Sequence, residues 1–300
     1  MGKLRQHLRR SVCGLMAFGL SAVSAAAGWQ ALTPQAGQQI DLQSRSNGVS
    51  YRIMVSRPDT PAPAEGYPVL YVLDGNAAFP VAAFIARGIA RRSSETGLVP
   101  PLVVAVAYPQ QDDFNYDGRA RDYTPSAPGQ PLAAAYGGAE RFFQFLQTEL
   151  KPLIRSRFPV DARRQGIFGH SFGGLFVSYV CLKYPQAFST CLASSPSLWW
   201  ENQMVLDQLP TAVPADGLPA FQLTVGALED ELPAGKLSAE RRAALLSRPM
   251  IAPARKLAQA LQALPGQAGR VRFQVLEGEN HGFAWLPALA RGMEFFVQQP

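Results

Sequence analysis

The chain has 300 residues, of which 47% are hydrophobic, 10% aromatic and 17% charged. Apolar content near half excludes a disordered or fibrous chain, because it supplies ample side-chain area for a core. A formal net charge of +6 and an isoelectric point near 9.4 raise a polyanion-binding reading, but the distribution of charge removes it. Of the 28 basic residues, Lys3, Arg5, Arg9 and Arg10 lie in residues 1–27, which hold no acid; the remaining 24 against 22 acidic residues leave +2. No run of five basic residues occurs, so no nucleic-acid partner is expected.

Residues 1–27 read as a secretory signal peptide: a basic start, an apolar run from Val12, and the small-residue end Ala25-Ala26-Ala27. The run is too short and too rich in Ala, Ser and Gly for a comfortable transmembrane helix, so stable membrane insertion is not expected. A retained N-terminal anchor is the rival reading. Cleavage near Ala27 leaves 28–300 as a single exported domain. Cys181 and Cys191 can pair in an oxidising compartment, or can sit as two small buried apolar residues. No metal is expected, since the sequence has no CxxC and no HExxH, and beyond residue 27 its histidines are His170 and His281.

In chain order, Asn47–Arg57 alternates as an edge strand, with Val49, Tyr51, Ile53 and Val55 on one face. Pro58 to Pro68 is a loop. Short continuous apolar runs follow at Val69–Leu73, Leu102–Ala107, Gly166–Phe168, Phe221–Val225 and Val271–Leu276, as suits strands buried on both faces. Helical spacing occupies Phe79–Arg91, Ala139–Ile154, Phe172–Tyr184, Ala254–Leu264 and Ala284–Val297. This alternation predicts an α/β class, a doubly wound and mostly parallel sheet with helices on both faces. Two long polar stretches, Gln110–Tyr136 and Asp230–Ile251, read as insertions that wall a site.

Gly169-His170-Ser171-Phe172-Gly173 is a G-x-S-x-G element placed between a strand and a helix, the setting of a nucleophile elbow. Ser171 is therefore the candidate nucleophile, and a serine hydroxyl needs a general base. His281, after the last strand and before the last helix, is the candidate base. The acid follows the Phe221–Val225 strand: Glu229 is the first choice, with Asp230 and Glu231 as alternatives. An oxyanion hole takes the Phe172 amide and one from Asp74-Gly75-Asn76, with Asn76 the expected donor. No phosphate or dinucleotide loop is present, so no cofactor is expected.

These residues resemble the esterase D-like α/β-hydrolases, and within them the siderophore esterases that open catecholate trilactones of the enterobactin and salmochelin type. The resemblance rests on Tyr71–Asn76, Arg121–Pro125, Gly169–Gly174, Ser194–Trp200, Val225-Gly226 with Glu229, and Gly278–Gly282. It implies a periplasmic serine esterase whose small-molecule substrate is a ferric catecholate siderophore. A ferric tris-catecholate is an aromatic trianion, so Arg119, Arg121, Trp199 and Trp200 are its expected partners. A general secreted carboxylic or feruloyl-type esterase, and a non-catalytic siderophore-binding protein on a hydrolase frame, are the alternatives.

Overall fold

The computed structural model describes residues 37–300 except 111, 127–134, 216, 233–234 and 236. The expected signal peptide lies outside the described residues. Eight strands form one sheet: β1 Gln38–Gln43, β2 Ser50–Ser56, β3 Tyr67–Val72, β4 Leu102–Ala107, β5 Val160–His170, β6 Thr190–Ser194, β7 Ala220–Gly226 and β8 Val271–Leu276. Their spatial order is β1-β2-β4-β3-β5-β6-β7-β8. β1 pairs antiparallel with β2 and β2 antiparallel with β4, while every pairing from β4 to β8 is parallel.

The continuous apolar runs make sense in this sheet, because neighbouring side chains on a strand point to opposite faces and here both faces are covered. Val69 and Tyr71 on β3, and Leu73 just after it, join one core cluster, with the helix Phe172–Lys183 and Phe142, Phe145 and Leu150. Leu70 and Val72 join the other, under the helices Gly75–Arg91 and Trp285–Val297. The carboxyl ends of the parallel strands open on one side, where open α/β sheets place their sites.

Several elements depart from the sequence expectation. β2, expected at the edge, lies between β1 and β4, and β6 is not among the expected strands. β1 was not foreseen: its residues are almost all exposed, with Ile40 and Leu42 as its apolar content. β5 extends eleven residues rather than three, since the largely polar Asp161–Gln165 is extended as strand as well, across an irregularity in its register with β3. The helical segment after Gly138 is divided into Ala139–Phe145, a π turn at Leu146–Leu150, and Lys151–Arg157. The π turn ends two residues before Pro152, which lacks an amide hydrogen and crowds the carbonyl four residues earlier.

Cys181 and Cys191 are joined by a disulfide, which ties the helix Phe172–Lys183 to the neighbouring β6.

Candidate active site

Ser171 sits between β5 and the helix Phe172–Lys183 with φ 59° and ψ −117°. A non-glycine residue in that region stores on the order of 1–3 kcal/mol of strain, and persists where its surroundings over-determine it. Two glycines supply the surroundings. A Cβ on Gly169 would lie 2.3 Å from the Gly173 carbonyl oxygen, and one on Gly174 would lie 2.7 Å from that of Ser194. Gly173 itself would meet nothing closer than 3.5 Å. Gly169 and Gly174 are thus the positions that sterically require glycine.

The sharp turn lifts the Ser171 hydroxyl to 2.9 Å from Nε2 of His281, whose Nδ1 lies 2.7 Å from a Glu229 carboxylate oxygen. His281 is 43% exposed and the Glu229 side chain 0%. The relay therefore runs from a fully buried carboxylate through a partly exposed imidazole to the half-buried Ser171. Glu229 is held on its other oxygen by the Ser195 hydroxyl and the Gly226 amide. Gly226 permits this approach, since a Cβ there would lie 2.4 Å from the Glu279 carbonyl oxygen. The Leu228 amide donates to the same carbonyl oxygen at 3.0 Å, joining the acid's loop to the base's loop. Of the alternative acids, Asp230 instead accepts from the Met250 and Ile251 amides, at 2.7 and 3.2 Å, where the helix Ile251–Gln262 begins. Glu231 is exposed and has no place in the relay.

Phe172 is the first residue of its helix, and Gly75 and Asn76 open another; first-turn amides have no partner within a helix. Gly75 lets that second helix start against β4, where a Cβ would stand 3.0 Å from the Cβ atoms of Ala105 and Ala107. The Asn76 side chain is occupied in fixing the loop after β4. It accepts from the Tyr108 amide at 2.9 Å and donates to the Tyr108 and Gln110 carbonyls at 3.1 and 2.9 Å. Its backbone amide is the group free to face a developing oxyanion.

Both expected ligand arginines are engaged with acids of the fold. Arg119 is buried, with Nε 2.7 Å from Asp74. Arg121 forks onto Asp122 at 2.7 and 2.8 Å. Asp122 also accepts from the hydroxyls of Tyr51 and Tyr108, both at 2.9 Å. Buried carboxylates demand a counter-charge, and both guanidinium groups meet that demand, the Arg119 side chain from within the fold and the Arg121 side chain while 34% exposed.

The tryptophans divide. Trp200 is buried and donates from Nε1 to the Pro125 carbonyl at 2.9 Å, as core aromatics with a polar edge do. Trp199 is half-buried, its ring 6.1 Å from that of Phe172, and the guanidinium of Arg248 lies 4.8 Å from its centroid. Arg248, in the second insertion, is exposed and was not foreseen. Nothing in its sequence context distinguishes it from the other surface arginines.

His170 stands behind the relay, its ring 4.7 Å from that of His281 and its Nδ1 3.1 Å from the Ser194 hydroxyl. Burial, then the neighbouring His281 and Arg119, hold its pKa well below the ordinary histidine value. It stays neutral beside a histidine that must be free to charge. Among the described residues no cluster of His, Cys, Asp and Glu could hold a metal ion.

Comparison with known proteins places the chain among esterases. A sequence model described as a putative esterase matches residues 44–295. The ferri-bacillibactin esterase BesA of Bacillus subtilis is 35% identical over 266 residues, covering 85% of this chain and 87% of its own. A siderophore triacetylfusarinine C esterase of Aspergillus fumigatus is 30% identical, covering 84% of this chain and 90% of its own. The crystal structure of the BES protein from Bacillus cereus superposes with a TM-score of 0.75 at 32% identity, over 91% of this chain and 98% of that one. The chain belongs to the esterase family of α/β-hydrolases, as a serine ester hydrolase akin to the siderophore esterases.

Proposed function

We propose that this protein is a periplasmic esterase that hydrolyses the ester bonds of iron-loaded catecholate siderophores, enterobactin-like trilactones, and so releases their iron. The observation that carries the reading is the Ser171–His281–Glu229 relay together with the half-buried Trp199, which packs near Phe172 and carries the exposed Arg248 over its ring. An aromatic anion suits that pair, because its ring can lie along the indole while its charge meets the guanidinium. The basic and apolar pattern of residues 1–27 supports export, as does the Cys181–Cys191 disulfide, since such bonds persist in oxidising compartments.

The chemistry is a two-step acyl transfer. His281 Nε2 takes the Ser171 proton as Oγ attacks the ester carbonyl. Glu229 holds the His281 tautomer with the proton on Nδ1, and stabilises the imidazolium that forms. The amides of Phe172 and Asn76 receive the oxyanion at the two helix starts, where the helix dipole also favours negative charge. His281 then gives its proton to the leaving alkoxide. Water, deprotonated in turn by His281, attacks the acyl-serine and regenerates the Ser171 hydroxyl.

The test is product analysis by mass spectrometry after incubation with ferric and with iron-free enterobactin. Simple p-nitrophenyl and feruloyl esters run in parallel. Linear hydrolysis products, formed faster from the ferric complex, are expected. Turnover of simple esters with no cleavage of any trilactone would favour a general esterase instead. Recovery of a chain beginning near Gly28 from the periplasmic fraction tests the location.

A further inference from the structure

Arg119 has a bridging position that its pairing with Asp74 alone does not account for. Its Nε donates to Oδ1 of Asp74 at 2.7 Å, and its Nη2 donates to the carbonyl oxygen of His170 at 3.2 Å. Asp74 immediately precedes the helix Gly75–Arg91, in the left-handed region at φ 54°, so its conformation sets where the Gly75 and Asn76 amides point. The His170 carbonyl belongs to the peptide that enters Ser171, one residue before the Phe172 amide. One buried guanidinium therefore grips both backbone segments that flank the proposed oxyanion hole.

Two further contacts converge there. The other Asp74 oxygen is buried without a hydrogen-bond partner, and a Cβ on Gly173, in the first turn of the elbow helix, would lie 3.5 Å from it. The Asp74 amide donates to the Tyr123 hydroxyl at 3.3 Å. Arg119 and Tyr123 both come from the helix Tyr116–Tyr123, whose Gly118 is pressed against the Tyr108 ring, where a Cβ would meet it at 2.7 Å. The start of the first insertion is thus a packed brace beneath the site.

We infer that Arg119 is a positioning residue for the oxyanion hole, fixing the segments that carry the Asn76 and Phe172 amides relative to one another. A buried ion pair is weak evidence of stabilisation in its own right, because desolvation offsets the attraction. A forked cation can do what an apolar pair cannot, holding a carboxylate and a carbonyl at fixed separation. The inference rests on the Phe172 and Asn76 oxyanion assignment made above. It does not depend on the natural substrate, so p-nitrophenyl acetate serves as the probe.

The experiment compares wild type with Arg119→Lys, Arg119→Gln and Asp74→Asn. The Arg119→Lys variant keeps a positive charge beside Asp74 but cannot fork to His170, so it separates geometry from charge if Arg119→Gln fails to fold. Displacement of an oxyanion donor by about 1 Å costs on the order of 10²-fold in rate, so kcat is expected to fall by about that factor while KM stays within about threefold. Affinity for an alkyl boronic acid, whose adduct with Ser171 is tetrahedral and anionic, should fall in parallel with kcat/KM. Arg119→Lys and Asp74→Asn should be non-additive in kcat, since they break one linkage. A folded Arg119→Lys with kcat within threefold of wild type would overturn the inference. So would a loss of kcat with unchanged boronate affinity, the signature of a merely structural role. Ser171→Ala runs alongside: if it keeps turnover, the site assignment itself has failed, and that outcome is distinct from failure of Arg119.

Discussion

Ser195 donates its hydroxyl to one oxygen of Glu229 while the other oxygen faces His281. Ser195 is fully buried just past the end of β6, at φ 42°, and its amide donates to the Thr224 carbonyl at 2.7 Å. The acid is therefore oriented by a strained turn as well as by its own loop.

Replacing Ser195 by Ala leaves that buried carboxylate oxygen with the Gly226 amide alone. Loss of a hydrogen bond to a charged group costs about 1.5–3 kcal/mol. Part of this should appear as lowered urea stability and part as a fall in kcat of about tenfold. Glu229→Gln should cost more, on the order of 10⁴-fold in kcat, because the amide favours the wrong His281 tautomer. Equal kcat for wild type and both variants would remove Glu229 from the relay.

His170 supplies a pH dependence of stability. Its folded pKa lies well below the ordinary value of 6.5, so the unfolded chain takes up a proton there that the folded chain refuses. The contribution is fully present above pH 6.5 and is lost as pH falls from there toward the lower folded value. In His170→Gln the decline of the urea midpoint below pH 6.5 should be shallower; an unchanged decline would contradict the assignment.

The disulfide between Cys181 and Cys191 closes a loop with a sequence separation of ten. Loops of this order give about 3 kcal/mol through the unfolded chain. The double Ala variant should unfold at correspondingly lower urea, with kcat/KM on p-nitrophenyl acetate essentially retained. An unchanged midpoint under reducing conditions would show that the bond contributes nothing.

Trp199→Ala and Arg248→Ala should raise KM for ferric enterobactin by about tenfold each, as about 1–2 kcal/mol of cation–π and stacking contact implies. Hydrolysis of p-nitrophenyl acetate, which carries no anion, should change little. A matching loss on both esters would mean that the pair shapes the site rather than reads the ligand.

At the elbow, Gly169→Ala places a methyl group against the Gly173 carbonyl and should prevent folding or destabilise strongly, whereas Gly173→Ala meets only ordinary contacts. Thermal unfolding of the two variants distinguishes them directly.

Much of this architecture was legible in the sequence because it depends on local pattern. Continuous apolar runs mark β3, β4, β7, β8 and the end of β5, though not β6, and a glycine-flanked serine between strand and helix marks the elbow. His281 followed from scarcity and from its place after the last strand. What failed did so for non-local reasons. The exposed β1 offers too little apolar alternation to register, and the first half of β5 is polar although the strand is central in the sheet. Arg119 looked like a ligand arginine because nothing near it reveals that Asp74, 45 positions earlier, is buried against it. Glu229 and Asp230 are neighbours in sequence, and only the approach of the His281 loop decides between them.

The cross-tie between Leu228 and Glu279 has an evolutionary corollary. It couples the acid and the base into a single mechanical unit, so a change that moves one loop carries the other with it. The catalytic pair cannot drift piecemeal. Arg248, by contrast, comes from a helical segment, Ala239–Leu246 and the turn after it, that buries none of its residues in the core. That stretch can be rebuilt without disturbing the proton path. New specificities in this scaffold should therefore arise by exchange of residues 239–248, with the machinery beneath inherited intact.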